Sequence, residues 1–159
     1  MNEITYSPAS PNDLPAVQAL LERCGLPSED LEADQIEHFV LCRSGGRVVG
    51  TVGLELLGEL ALLRSLAVAP ELRGGRIGHE LWSRALAAAR RLEVRQLFLL
   101  TTTAEGLFLR WGFRRLPRES VPEVVRQTSE YGAVCPSTAA VMAMDVGRCA
   151  PGQGPQVNG

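Results

Sequence analysis

The feature that constrains the fold most is an apolar run followed by a glycine-rich loop. Residues 60–69 are almost entirely apolar, as expected of a strand that is buried on both faces of a sheet. The run ends at Pro70, and the loop at residues 73–78 opens a long amphipathic helix that we expect to end near Arg91. Residues 96–101 then predict another buried strand. This order of strand, loop, helix and strand predicts an α/β fold.

The other elements are predicted from hydrophobic periodicity and turn residues. Ser10 is a candidate cap for a first helix, which Gly25 ends, and residues 28–30 indicate the start of a second helix. The Gly-Glu pair at residues 58–59 is expected to form a tight turn between two strands. The remaining predicted strands are residues 39–42, 47–57 and 139–145, and the remaining predicted helices are residues 104–111 and 121–127.

Size and charge limit the classes of function. The 159 residues are enough for one domain with a substantial core, which we place at residues 3–145. The tail at residues 147–159 is rich in Gly, Pro and Gln and is expected to be disordered. The formal net charge of -2, from 16 basic and 18 acidic side chains, gives no reason to expect a nucleic acid or a membrane surface as partner.

The expected cellular context follows from what the sequence lacks. No apolar stretch approaches the roughly 20 residues of a membrane-spanning helix, and the N-terminus does not resemble a secretory signal peptide. We therefore expect a cytoplasmic protein. The four cysteines form no CxxC pair, so we expect free thiols and no metal site. The sequence leaves the oligomeric state open, with a homodimer as one candidate.

The loop at residues 73–78 suits an anionic ligand. Successive backbone N–H groups in such a loop form a nest for anions, and the helix N-terminus adds about half a positive charge. Arg73 and Arg76 can add charge-assisted bonds, so the loop fits a pyrophosphate. The alternative is a tight strand-to-helix turn that binds nothing. The loop has neither the Gly-Lys-Ser/Thr of a Walker loop nor the glycine spacing of the dinucleotide fingerprint.

The same loop resembles the acetyl-CoA loop of the GNAT family of N-acetyltransferases. That loop reads Arg/Gln-x-x-Gly-x-Gly/Ala and follows a strand with a Val-x-Pro-like end. Arg73 and Gly78 fit its outer positions, Arg76 stands where a glycine is usual, and Gly75 lies one residue early. Arg76 still supplies a backbone N–H, as does any residue except proline.

A second motif supports the resemblance. It matches the family's Ala-x-x-Leu-Tyr-x-x-x-Gly-Phe segment through Ala104, Leu107, Phe108, Gly112 and Phe113. Phe108 stands where the family commonly has a tyrosine. A longer likeness, over residues 4–144, is to the short subfamily encoded with bacterial arsenic-resistance genes. The segments that carry it are residues 26–31, 37–39, 53–55, 63–66, 100–104 and 135–137.

The resemblance implies a mixed central sheet with flanking helices in a single domain, and an N-acetyltransferase that uses acetyl-CoA as cosubstrate. The implied acceptor is a primary amine of a small molecule, such as the amino-acid-like antibiotics arsinothricin and phosphinothricin. The pantetheine arm is expected along the strand before the loop, with the backbone N–H of Leu66 on the carbonyl oxygen. The residues implied in cofactor binding are Leu66, Ala67, Val68, Arg73, Gly74, Gly75, Arg76, Ile77, Gly78 and Phe108.

Two charged residues, Glu55 and Arg64, interrupt otherwise apolar strands. If residues 58–59 form a two-residue turn, the two side chains are diagonal neighbours on one face of the sheet. A lone charge in such a strand is costly, so a partner or a function is expected. Glu55 is our candidate for the base that deprotonates the amine, and Arg64 for the anchor of a substrate carboxylate. The alternative is a structural ion pair.

Weaker candidates lie elsewhere in the chain. Thr101 and Thr102 end a buried strand, where they either contact a ligand or cap the helix that follows. Arg126 is a second candidate for binding a carboxylate, and Cys135 lies in a segment expected near the substrate. His38 is better explained as a packed or surface residue than as the base. A covalent route through Cys135 is disfavoured because no activating partner is visible.

Three functions therefore compete. The first is an enzyme that acetylates a small amine. The second is a non-catalytic acyl-CoA-binding module with a regulatory role, which is favoured by the absence of a phenol at Phe108. The third is a protein N-acetyltransferase acting on a peptide terminus, which needs an open groove. Release of free CoA in the presence of an amine would distinguish the enzymes from the binding module.

Overall fold

Within the residues that the computed structural model describes, 3–134 and 139–147, seven strands form one mixed sheet in the order β1-β2-β3-β4-β5-β7-β6. The strands are β1 Ile4–Pro8, β2 Phe39–Ser44, β3 Arg47–Leu57, β4 Leu60–Val68, β5 Gln96–Thr101, β6 Arg114–Leu116 and β7 Ala140–Asp145. The α-helices are α1 Leu14–Arg23, α2 Ile77–Arg91, α3 Glu105–Arg110, α4 Glu123–Arg126 and α5 Ser129–Val134. The predicted α/β class is confirmed.

The strand pairing is antiparallel except in the middle of the sheet. β1 pairs with β2 and β2 with β3 in antiparallel fashion, and β7 pairs in the same way with β5 and β6. β4 runs parallel to β5, and this pairing joins residues 60–62 to residues 96–98. The chain divides into two compact units. The first contains the described residues of 1–55 and 63–86, and the second those of 56–62 and 87–159.

Two glycines of β3 allow close packing in the first unit. A Cβ atom at Gly50 would lie 3.0 Å from Leu81 and 3.1 Å from Ile77, both on α2, so the helix approaches this strand at a residue without a side chain. A Cβ atom at Gly53 would overlap the ring of Phe39, which is buried on β2. A side chain at either position would therefore force its neighbours to move.

The second unit has its own apolar cluster, built from β4, β5, β7 and the segment around α4. The buried members are Leu62, Phe98, Leu100, Val121, Val125, Val141 and Ala143. Partly buried Leu57, Leu60, Leu116 and Tyr131 pack against them. Alternation along β5 and β7 is weak because these strands are buried through most of their length, as expected for the middle of a covered sheet.

The second predicted helix, starting at residues 28–30, is wrong. The structure has a turn there, followed by a 3-10 helix at Ala33–Ile36. In an α-helix the backbone N–H of Glu32 would donate to the carbonyl of Ser28. Here it donates instead to the side chain of Gln35, at 2.7 Å. The carbonyl of Ser28 accepts from the Gln18 side-chain amide at 3.3 Å.

Other differences concern short or edge elements. The sequence interpretation missed β1, a partly exposed edge strand, and β6, which has three residues. The expected tail at residues 147–159 lies outside the described residues, apart from Gly147. Cys24 and Cys42 are free thiols. Among the described residues, no helix has the length and apolar character needed to cross a membrane.

Asp13 allows a test of the folded structure by pH. Its carboxylate accepts hydrogen bonds from the Ser10 backbone N–H at 2.9 Å and from Arg43 at 2.7 Å. The Ser10 bond is the main cause that lowers the pKa of Asp13, and Arg43 lowers it further. A lowered pKa in the folded state stabilises the protein above the unfolded value of about 3.9, and this contribution disappears as the pH falls through the folded pKa.

We therefore expect Asp13→Asn to lower the free energy of unfolding by about 1–3 kcal/mol at pH 7, because a charge-assisted bond to Arg43 is lost. The difference from wild type should shrink below about pH 4. Urea unfolding at pH 7 and pH 3 measures both values. An equal loss at the two pH values would contradict an ionised Asp13 as the source of the stability.

Candidate functional site

The glycine-rich loop joins β4 to α2 in the first unit. A 3-10 helix at Pro70–Leu72 is followed by Gly74, whose φ of 87° is in the left-handed region that favours glycine. The carbonyl of Arg76 accepts the Glu80 N–H at 2.9 Å, so α2 begins directly after Arg76. The first N–H groups of a helix have no partner within it. The predicted strand, loop and helix are thus in place, with backbone donors at the start of a 15-residue helix.

The other two glycines of the loop are not required by the fold. A Cβ atom at Gly78 would meet only Val68 Cγ2, at an ordinary contact distance of 3.8 Å. One at Gly75 would meet the carbonyl oxygen of Leu72 at 3.7 Å. Alanine is favoured over glycine by about 0.8–1.0 kcal/mol inside helices. Packing among the described residues therefore gives no reason for a glycine in the first turn of α2.

Arg73 has a partner at the end of β4. Its Nε donates to the Val68 carbonyl at 3.0 Å, and the Cys24 thiol also approaches that carbonyl, at 3.6 Å. The Val68 carbonyl therefore already accepts hydrogen bonds within the protein. The Nε bond holds the Arg73 guanidinium at the junction of strand and loop, where it adds a positive charge.

The centre of β4 has an unusual backbone conformation at Ser65. Its φ of 61° is in the left-handed region, which non-glycine residues adopt uncommonly and at an energetic cost. At this residue the chain therefore departs from the regular extended backbone of a strand. The next residue is Leu66, whose N–H was predicted to bind a carbonyl oxygen. Sequence reasoning missed Ser65; the available signal was the polar pair at residues 64–65 in an apolar strand.

Arg64 lies in a charged cluster in the first unit. Its side chain is 2% exposed and donates to both carboxylate oxygens of Asp30, at 2.8 and 3.0 Å. Its Nε donates to the Ser65 hydroxyl at 3.2 Å. Glu55 Oε1 is 3.6 Å from Arg64 Nη1, so the predicted ion pair of these two residues is confirmed. Binding of a substrate carboxylate by the Arg64 fork would require displacement of Asp30.

The Glu55 carboxylate differs from the Asp30 carboxylate in its hydrogen bonding. Its Oε1 atom is buried and has no hydrogen-bond partner among the described residues. At 3.6 Å, the contact with Arg64 is longer than a hydrogen bond. The side chain as a whole is 29% exposed, so solvent reaches part of it. This combination leaves a carboxylate that is close to a cation, accessible, and not fully occupied by protein donors.

The weaker candidates have partners of their own in the second unit. Thr101 Oγ1 accepts the N–H groups of Thr103 and Ala104 at 3.3 and 2.9 Å, so it caps the segment that enters α3, and Thr102 is exposed. Arg126 donates to the carbonyl of Arg118 at 3.0 Å. Cys135 lies outside the described residues.

Phe108 belongs to an aromatic group on α3. Its ring packs edge-to-face on Trp111 and Phe113, with centroid distances of 5.6 and 5.7 Å. The ring is buried and carries no proton that it can donate. Its observed contacts are those of a packing residue.

Comparison with known proteins places the chain among acetyltransferases. Residues 6–113 match the profile of the Acetyltransferase (GNAT) family. The amino-acid acetyltransferase of Aeromonas salmonicida is 32% identical over 96 residues, which are 59% of this chain and 22% of that protein. The amino-acid acetyltransferase of Mycobacterium tuberculosis is 39% identical over 72 residues, 45% of this chain and 41% of that protein. The chain thus spans less than half the length of these relatives.

Solved structures agree on the fold. N-acetylglutamate synthase from Neisseria gonorrhoeae, complexed with coenzyme A and N-acetyl-glutamate, matches with a TM-score of 0.78 at 23% identity, covering 92% of this chain and 36% of that chain. The Rv2747 protein of Mycobacterium tuberculosis, in complex with CoA, matches with a TM-score of 0.70 at 25% identity, covering 89% of this chain and 98% of that chain.

Proposed function

Since the chain belongs to the acetyltransferase (GNAT) family, we propose that it transfers an acetyl group from acetyl-CoA to the amino group of an amino-acid-like small molecule. One observation carries the proposal: the loop at residues 73–78 opens α2 with the backbone donors of a helix N-terminus and with a glycine that packing against the described residues does not require. A ligand that approaches the backbone closely accounts for that glycine. The relatives named amino-acid acetyltransferases support the class of acceptor.

The proposed cofactor contacts follow the family pattern. The pyrophosphate would bind the N–H groups of residues 74–78, with Arg73 and Arg76 adding positive charge. The pantetheine arm would lie along β4 beyond residues 60–62, the part that pairs with β5. Ser65, with its left-handed φ of 61°, lies in this part of β4, and the Leu66 N–H would donate to the thioester carbonyl oxygen.

The reaction needs one base and a good orientation. Glu55 would accept a proton from the acceptor's ammonium group, directly or through one water, and the neutral amine would then attack the thioester carbon. The C–N bond forms, the C–S bond breaks, and CoA leaves as a thiolate. The remaining extra proton on nitrogen passes to that thiolate, because Phe108 has none to give. Holding amine and thioester together supplies much of the acceleration.

A narrower proposal concerns the acceptor. An α-amino acid with a second acidic group, such as arsinothricin or phosphinothricin, fits the amino-acid class and the likeness to arsenic-resistance proteins. Acetylation would remove the positive charge of the ammonium group, and the antibiotic would no longer resemble an amino acid. A carboxylate of this acceptor needs a cation. Arg64 would first have to release Asp30 before its guanidinium could bind that carboxylate.

The test is a panel of amines assayed for release of free CoA, including glutamate, other amino acids, phosphinothricin, arsinothricin and amines without a carboxylate. We expect the carboxylate-containing α-amino acids to turn over best. Thermal stabilisation by acetyl-CoA is measured alongside. Stabilisation without CoA release from any amine would favour the acyl-CoA-binding module instead. If only carboxylate-free amines or peptide termini react, the proposed acceptor class is wrong.

Phe108 gives a separate prediction about the mechanism. Phe108→Leu should change kcat by less than about tenfold, because the lost ring contacts are packing contacts and a lost general acid would cost about 10²–10⁴-fold. The measurement is kcat for the best acceptor, together with the melting temperature. A loss above a hundredfold, with folding and acetyl-CoA stabilisation intact, would show that Phe108 contacts the reacting groups.

A further inference from the structure

Asp30 has no assigned role, yet it makes the tightest contact in the charged cluster. Its two carboxylate oxygens bind the two terminal nitrogens of Arg64 at 2.8 and 3.0 Å, the two-bond geometry that gives the strongest pairing of arginine with a carboxylate. Glu55 is 3.6 Å from the same guanidinium. One cation therefore forms ion pairs with two carboxylates, and the hydrogen bonds of its terminal nitrogens go to Asp30.

The position of Asp30 is fixed by the surrounding chain. The amide of Gln18, on α1, donates to the carbonyls of Ser28 and Leu31 at 3.3 and 3.4 Å and so holds the turn on both sides of Asp30. The side chains of Ser28 and Leu31 are buried. The turn that was predicted as a helix start is instead built to present a carboxylate to Arg64.

Loss of the Asp30 charge would redirect Arg64. A buried guanidinium without a partner is strongly unfavourable, and Arg64 has its other carboxylate neighbour, Glu55, within 4 Å. A movement of less than about 1 Å would convert that contact into a charge-assisted hydrogen bond. Such a bond favours the ionised carboxylate and opposes its protonation. Glu55 would then be a poorer proton acceptor.

We propose that Asp30 is a positioning residue that holds Arg64 away from Glu55 and so keeps the Glu55 carboxylate able to accept the proton of the amine. This inference rests on the proposed function. On this proposal, Arg64 binds carboxylates of the protein itself, and Asp30 acts through Arg64 without contacting the acceptor. It also explains why Glu55 Oε1 is buried beside a cation without a hydrogen bond.

The test is a suppressor experiment on kcat. Asp30→Asn should lower kcat at least about tenfold, which is part of the 10²–10⁴-fold acceleration that a general base contributes. The acceptor KM and the thermal stabilisation by acetyl-CoA should change little. Addition of Arg64→Gln should restore most of the lost kcat, because the competing cation is gone. Asp13→Asn is the matched control, since it breaks another Arg–Asp pair of the first unit, and should leave kcat unchanged.

Any other outcome would contradict either the role of Asp30 or the proposed function. If Asp30→Asn keeps its kcat, or if Arg64→Gln does not restore it, Asp30 is only a structural partner. If Asp30→Asn lowers the acceptor KM and Arg64→Gln raises it, Arg64 binds the substrate and the proposal is wrong. No CoA release by the wild type would instead overturn the proposed function itself. If Asp30→Asn does not fold, Gln18→Ala is used in its place. It should lower kcat in the same way, and addition of Arg64→Gln should again restore kcat.

Discussion

Glu55→Gln should lower kcat by about 10²–10⁴-fold while the affinity for acetyl-CoA stays unchanged, because an amide cannot accept the ammonium proton. The substitution keeps the size of the side chain and its place beside Arg64, so the loss is chemical. The acid-side limb of the pH profile of kcat should also disappear, since a side-chain amide does not ionise in this range. Initial rates of CoA release between pH 5 and 9, with the best acceptor at saturation, measure both effects.

Glu59→Gln is the matched control for this experiment. Glu59 follows Gly58 in the β3–β4 turn, and its exposed side chain makes a 3.6 Å ion pair with Arg95. Exposed pairs of this kind contribute about 0–1 kcal/mol, so Glu59→Gln should leave kcat and folding nearly unchanged. If Glu55→Gln leaves kcat and the acid-side limb unaltered, Glu55 is only a structural partner of Arg64.

The elements that were predicted well have strong local signals. β3 was predicted at residues 47–57 and is found there, because a glycine turn precedes it and the Gly-Glu turn follows it. Gly58 has a φ of 69°, as the turn requires. The loop at residues 73–78 was also predictable, since a buried strand, glycines and an amphipathic helix occur in direct succession. In each case the information lies within about ten residues of sequence.

The parts that were missed depend on contacts that are distant in sequence. Asp30 and Arg64 are 34 positions apart, and nothing near Asp30 in the sequence indicates a partner. Residues 28–30 have the composition of a helix start, but the side-chain amide of Gln18, on α1, donates a hydrogen bond to the Ser28 carbonyl. A hydrogen bond from another element overrode the local preference, which is why the charged cluster could be predicted only as the Glu55–Arg64 pair.

Gly78→Glu should abolish stabilisation by acetyl-CoA. The new carboxylate would lie at the N–H groups that are proposed to hold the pyrophosphate, and both would carry negative charge. The fold should tolerate the change, because a Cβ atom at Gly78 makes only an ordinary contact with Val68 and an acidic residue suits the first turn of α2. The wild type, at a ligand concentration 100 times its dissociation constant, should gain about 2.7 kcal/mol.

A gain of that size corresponds to a rise of about 5–11 °C in melting temperature for a domain of this length, so its loss in Gly78→Glu is easily measured. Gly132→Glu is the matched control: it introduces the same charge on α5, at a glycine with open space around it, and should keep the full rise. Gly78→Ala should fold and bind acetyl-CoA more weakly than the wild type, since even a methyl group limits the approach of a pyrophosphate to the backbone. If Gly78→Glu keeps the rise, the loop does not hold the pyrophosphate. If the wild type shows no rise, the chain does not bind acetyl-CoA, and the loop is a tight turn between strand and helix.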